Sequence, residues 1–157
     1  MPVDETVVSA FAAALGSRDA VATDAATLAG NAKDRWIFGH QPGLVPRPHT
    51  RDEVVAIVKV AGEHNVSLVT RGAASNCSAG FMAGSDRMEQ LAQHKLVFSP
   101  DPVSAHLAAI GGNIVENAGG PNALKYGAAY NHVLSVEAVL ADGSLPSDIH
   151  ATVRRQP

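Results

Sequence analysis

The sequence predicts a mixed fold of helices and short strands, and three observations carry that reading. A capped, amphipathic segment beginning at Thr50 runs into the β-rich pentapeptide VSLVT at 66–70, and a helix followed by a strand is half of an α/β unit. HVLSVEAVLADG at 132–143 alternates apolar and polar residues and closes on an Asp-Gly turn signal. Between them lie two stretches of small residues, RGAASNCSAG at 71–80 and GGNIVENAGGPNALKYG at 111–127. Neither has the bulk to pack a core. Both suit backbone that turns tightly or lies close against something else.

Taken in order, DETVVSAFAAAL at 4–15 reads as a helix with Asp4 and Glu5 in its first turn and Gly16 as its stop. Periodicity is weak from Ser17 to Phe38, an irregular segment with room for a short helix. HQPGLVPRPHT at 40–50 holds three prolines, and Pro46 and Pro48 favour extended chain on either side of Arg47. Thr50 and Glu53 form the capping-box pattern, and Val54, Ile57, Val58 and Ala61 recur at helical spacing. DRMEQLAQH at 86–94 predicts another helix, followed by the apolar LVF. SPDP at 99–102 predicts a rigid turn, and SAHLAAI at 104–110 a helix leading into the glycine stretch. In the strand expected at 132–143, Leu134, Val136, Ala138 and Leu140 share one face. The tail ATVRRQP has no clear partner.

Composition bounds the function. The chain has 157 residues, 46% hydrophobic but only 4% aromatic, so its core rests on Ala, Val, Leu and Ile, in one domain or two small lobes. A net charge of -3 offers no bulk attraction to nucleic acid or an acidic membrane. No apolar run approaches a membrane span, and the N-terminus lacks the basic-then-apolar order of a signal peptide. The single cysteine, Cys77, rules out an internal disulfide and fits a reducing compartment. The expected address is the cytoplasm.

Several chemistries find no motif. RGAASNCSAG is neither GxGxxG nor GxxxxGK[ST], so a plain NAD or ATP site is poorly supported. No two of the seven histidines stand at HxH or HxxxH spacing, no HExxH occurs, and no metal site is assigned. Cys77 lacks a CxxC partner, and no serine sits in GxSxG. The 71–80 loop does offer a run of N–H donors, side-chain donors at Ser75, Asn76 and Ser78, and the charge of Arg71, which together could wrap a pyrophosphate. An ordinary loop rich in small residues is the other reading. Gly111-Gly112 and Gly119-Gly120 bracket NIVENA. A planar ring against backbone would explain both pairs, and so would two tight turns around a short helix. Asn113 and Asn117, four apart, either orient that segment through backbone bonds or simply cap turns.

These pieces together, PGLVPRPHTRDEVVAIVKVAGEHNVSLVTRGAASNCSAG at 42–80, SPDPVS at 99–104, GGNIVENAGGPNALKYG at 111–127 and NHVLSVEAVLADG at 131–143, stand in the order found in the FAD-binding domain of the FAD-linked oxidases. That group includes the glycolate oxidase D subunit and D-lactate dehydrogenases. The chain resembles this family over well more than half its length. The resemblance implies an α+β, FAD-binding PCMH-type fold of two lobes with FAD between them. It implies a domain organisation of an N-terminal helical or irregular segment at 1–41, a partial FAD-binding domain at 42–150 and a tail at 151–157.

By the same comparison, Arg71, Gly72, Ala73, Ala74, Ser75, Asn76, Ser78, Ala79 and Gly80 form the loop around the FAD diphosphate. Pro100, Asp101, Ser104, Gly111, Gly112, Asn113, Asn117, Gly119 and Gly120 resemble the part that lines the flavin and its linker. Gly112 and Gly119 are expected to be glycine for geometric reasons, with a side chain there harming FAD binding more than folding. The family loop runs close to RGxGTxxxGG. Here Ala74 replaces a usual glycine, Ala79 replaces the first glycine of the pair, and Ser75 keeps a hydroxyl in place of threonine. If the backbone at Ala74 is left-handed, the methyl costs about 1–2 kcal/mol.

The segment after Gly84 is shorter than in the family, and the substrate domain and the GSEGTLG-like segment are expected to be missing, so the fold is expected to be incomplete. The implied function is the FAD-binding portion of a flavin-dependent oxidoreductase acting on a 2-hydroxy acid such as glycolate or D-lactate, with no catalytic residue assigned. The isolated chain is expected to be inactive without a separate chain supplying the substrate domain. The alternative is a non-catalytic, truncated remnant of such an oxidase.

Overall fold

Each of the first three helices starts or stops where a short-range signal tells it to. Helix α1 (Glu5–Ala14) begins at Asp4, whose carboxylate accepts from the Thr6 N–H at 3.0 Å. Helix α2 (Ala25–Gly30) begins at Asp24, which accepts from Thr27 N–H at 2.9 Å. Helix α3 (Arg51–Glu63) carries the complete capping box: the Thr50 hydroxyl accepts from Glu53 N–H, and the Glu53 carboxylate accepts from Thr50 N–H. At the other end, α1 and α3 close in the same way. The residue after the cap, Gly16 or Asn65, turns left-handed at φ +66° and +58°. The N–H groups of Gly16 and Ser17 return to the carbonyls of Ala13 and Ala12, and those of Asn65 and Val66 to Gly62 and Ala61. Both are Schellman closures, which satisfy carbonyls the helix end would otherwise orphan.

The computed structural model describes residues 3–32, 40–72, 74, 98–104 and 108–146. The chain forms two units, Met1–Leu68 with Glu137–Asp148, and Val69–Val136 with Ile149–Pro157. The fold is α+β, with helices and one small antiparallel sheet among the described residues.

In the first unit, α1 packs against α3. Val8, Phe11, Val21, Ile57 and Ala61 are buried together, with Val7, Leu15, Leu44 and Val60 around them. Val8 and Phe11 are three apart and Ile57 and Ala61 four apart, so each pair lies on one helix face. The sheet pairs β1 (Val21–Ala22) with β2 (Val45–Pro46) in the register Val21↔Pro46 and Ala22↔Val45. Pro46 has no N–H to give, and the ladder continues through Arg47 N–H to the Ala20 carbonyl at 2.8 Å. The expected extended chain around the prolines is therefore a strand, and β1 lies in the segment whose periodicity was too weak to read.

The two strands expected from pattern are not seen as strands among the described residues. Val66–Thr70 and the run from Val133 to Leu140 have no ladder partner among the described residues. Alternation gives a segment a face, but pairing makes it a strand. The shared face is not buried either: Leu134 is 87% exposed. His132, the first residue of the strand expected at 132–143, belongs instead to a 3₁₀ turn at Ala129–His132. The end of the run is as expected. Gly143 N–H reaches the Leu140 carbonyl at 2.8 Å and Leu140 N–H the Ser144 carbonyl at 3.0 Å. Gly143 sits at φ +78°, where an added Cβ would also come within 2.8 Å of Lys59 Cγ. The same segment is fastened to α3 at the surface by Arg51 to Glu137, 2.9 Å, an exposed pair that adds little stability.

Three carboxylates make the fold acid-sensitive. Asp4 and Asp24 are held below the usual carboxylate range by backbone N–H bonds from Thr6 and Thr27, and Asp142 by its bond from Ser144. Their folded values lie below the unfolded ones, so their stabilisation is full above the unfolded value and is lost as pH falls through the folded one. Asparagine caps as well as aspartate but does not titrate there. Asp4→Asn with Asp24→Asn is therefore expected to flatten the fall in urea midpoint below about pH 4. An unchanged slope would show that other groups set it.

Candidate functional site

The second unit assembles the glycine stretch around helix α4 (Ile110–Val115), which contains Gly111, Gly112 and Asn113. The helix expected over 104–110 falls in part outside the described residues, and of its described residues Ile110 lies in α4. Ala109 is extended at φ -88°, ψ 145° and caps α4 without a side-chain bond, and the Ala108 N–H reaches the Ser104 carbonyl at 2.8 Å. Residues 105–107 lie outside the described ones.

Asn117 ends α4. It is left-handed at φ +48°, its N–H goes to the Ile114 carbonyl at 3.1 Å, and the Ala118 N–H goes to Asn113 at 2.8 Å, a third Schellman closure. The asparagine side chain does a second job. Its Oδ1 accepts from Tyr130 N–H at 2.9 Å, and one residue along, the Ala118 carbonyl accepts from Ala129 N–H at 3.0 Å. The exit of α4 is thus tied to the 3₁₀ turn, with Ala129 fully buried beneath it. Both readings of Asn117 hold: it caps a helix and it orients the next segment. Asn113 is 4% exposed, the buried polar residue of this region, and its backbone carbonyl receives the closing bond from Ala118.

The two glycine pairs differ. Gly111 and Gly112 are helical, and a Cβ added at either would meet nothing within 4 Å among the described residues. Neither a left-handed turn nor a crowding neighbour among the described residues accounts for these two glycines. Gly119 is also tolerant; its Cβ would make an ordinary 3.6 Å contact with Ala123. Gly120 is the constrained one. A Cβ there would run into the carbonyl oxygens of Pro100 and Asp101. Pro100 is fully buried, and Asp101 is exposed with its backbone left-handed at φ +47°. The expected SPDP turn is present, with Asp101 N–H on the Phe98 carbonyl at 3.2 Å. The structure thus brings Pro100 and Asp101 onto Gly120, joining two pieces that are 20 residues apart in sequence.

Beyond this contact, helix α5 (Ala123–Tyr126) is followed by Gly127, whose φ of +86° is the left-handed region. The His132 ring bonds the Tyr126 carbonyl through Nε2 at 2.9 Å, which makes that nitrogen the donor. The same ring meets Phe98 edge-on at 6.2 Å, and Lys125 Nζ lies 4.8 Å from the Tyr126 ring centroid. Phe98, Tyr126 and His132 were not singled out in the sequence. They lie in different segments, and no local spacing reports a contact of that kind.

Of the loop expected to wrap a diphosphate, Arg71, Gly72 and Ala74 are described, and Ala73, Ser75, Asn76, Ser78, Ala79 and Gly80 lie outside the described residues, as does the helix expected at 86–94. Ala74 is left-handed at φ +51°, the conformation in which a methyl costs about 1–2 kcal/mol. Ala74→Gly is expected to raise stability in urea by about 0.5–1 kcal/mol, the strain relieved less the added entropy of unfolded glycine. A loss of stability would mean that the methyl packs favourably. Among the described residues no group of three or more His, Cys, Asp or Glu side chains gathers as metal ligands, and no helix is long and apolar enough to cross a membrane.

Residues 82–147 match the family model described as FAD binding domain. The match contains α4, both glycine pairs and the Pro100–Asp101 turn, and begins after the 71–80 loop. The chain is similar to the D-lactate dehydrogenase of Archaeoglobus fulgidus, at 34% identity over 133 residues, 65% of this chain and 30% of that protein. It is similar to the glycolate oxidase subunit GlcD of Bacillus subtilis, at 29% over 140 residues, 69% of this chain and 30% of that subunit. It is also similar to the D-2-hydroxyglutarate dehydrogenase of Stutzerimonas stutzeri, at 31% over 159 aligned positions, 80% of this chain and 34% of that enzyme. The chain spans about a third of the length of these relatives. Over the aligned regions the chain is similar to these oxidoreductases, and 82–147 is similar to an FAD binding domain.

Proposed function

We propose that this chain is the FAD-binding portion of a flavin-dependent oxidoreductase acting on a 2-hydroxy acid such as glycolate or D-lactate, built on a PCMH-type, two-lobed fold whose FAD-binding part is residues 42–150. The observation that carries the reading is the pair of side-chain-free positions on α4, in the same unit as the Pro100–Asp101 turn. Gly111 and Gly112 present helix backbone that no other described atom would crowd at the Cβ positions, and the Pro100–Asp101 turn meets Gly120 in the same unit. A planar ring can approach such backbone closely, so these residues fit a flavin. The relatives named above are described by lactate, glycolate and 2-hydroxyglutarate, all 2-hydroxy acids, which supports the substrate class.

FAD held there would supply the acceptor for the two electrons leaving the substrate. This chain's share is to position it. Gly111 and Gly112 leave room for the ring, Asn113 and Asn117 hold α4 in place, Gly119 and Gly120 carry the chain past the Pro100–Asp101 turn with Ser104 beside it, and the 71–80 loop wraps the diphosphate. The proposed partner is a separate chain that supplies the substrate domain, and turnover of glycolate or D-lactate is assigned to the two together.

The test is a titration of the apo-protein with FAD and with NAD, followed by flavin fluorescence and calorimetry. FAD is expected to bind and NAD is not. Tight NAD binding without FAD would overturn the proposal, and a folded chain that binds neither would favour a non-catalytic remnant. The α4 glycines sharpen it, because two effects of opposite sign are expected. Gly111→Ala and Gly112→Ala should each stabilise the helix by roughly 0.5–1 kcal/mol, while the added methyls weaken FAD binding. Stabilised variants with parental FAD affinity would place the flavin elsewhere.

A further inference from the structure

We draw no further inference here: the strongest candidate, the exposed apolar side chains of Val103, Val115, Leu124, Tyr126, Tyr130 and Leu134 on the surface of the second unit, carries nothing because nothing in the structure shows what covers them.

Discussion

Gly120→Ala is expected to destabilise the second unit by about 3 kcal/mol or more, at the upper end of the usual cost of overpacking. Most small-to-large substitutions are softened because the obstructing group is the end of a side chain and can rotate. Here the obstructing atoms are the backbone carbonyl oxygens of Pro100 and Asp101. Pro100 is fully buried and its ring fixes φ, so the turn can retreat only by leaving Gly120. The control lies next door. Gly119→Ala brings its methyl into ordinary contact with Ala123 at 3.6 Å and is expected to be close to neutral. Urea denaturation followed by circular dichroism measures both. Equal midpoints for the two variants would show that the turn does not rest on Gly120. On the proposed function, Gly120→Ala also lowers FAD affinity, because the displaced turn is one of the walls.

Phe11→Ala is expected to cost about 3–5 kcal/mol, a large fraction of the 5–15 kcal/mol that holds a typical domain together. Phe11 is 0% exposed at the centre of the cluster made with Val8, Val21, Ile57 and Ala61. In a chain only 4% aromatic, few residues can fill that volume. The alanine removes the ring from between α1, α3 and β1, and small neighbours such as Ala61 and Ala12 cannot grow into the void. Phe11→Leu should recover much of the loss, since it keeps most of the volume. The same denaturation assay decides. A loss below about 1 kcal/mol for Phe11→Ala would mean that the site collapses freely.

What the sequence made legible was local. Thr50 and Glu53 are three residues apart, and the bonds between them span only that distance, so the capping box could be read and is present. Asp142-Gly143 is a turn for the same reason. Asn117 was read as either cap or brace, and it is both, because a left-handed backbone frees its side chain to reach Tyr130. The strands expected at 66–70 and 132–143 find no ladder partner among the described residues, because alternation is a property of one segment, whereas a ladder needs two. β1 went unseen for the converse reason: two residues, Val21 and Ala22, carry too little pattern, yet they find Val45 and Pro46. The glycines show the limit most sharply. Gly112 and Gly120 each close a Gly-Gly pair, and nothing in either pair separates them. What separates them is the Pro100–Asp101 turn, which reaches one and not the other.

The tie between Asn117 and Tyr130 also bears on the order in which the chain finds its shape. The bond joins residues 13 apart, and the helix and turns inside it need no distant segment to form. Closure of a chain segment of about ten residues takes on the order of 10–100 ns, far faster than most non-local pairings. The stretch from Ile110 to His132 is therefore a low-contact-order piece, able to assemble before the Pro100–Asp101 turn docks on it. Gly120 is the point at which that local piece meets the distant Pro100–Asp101 turn.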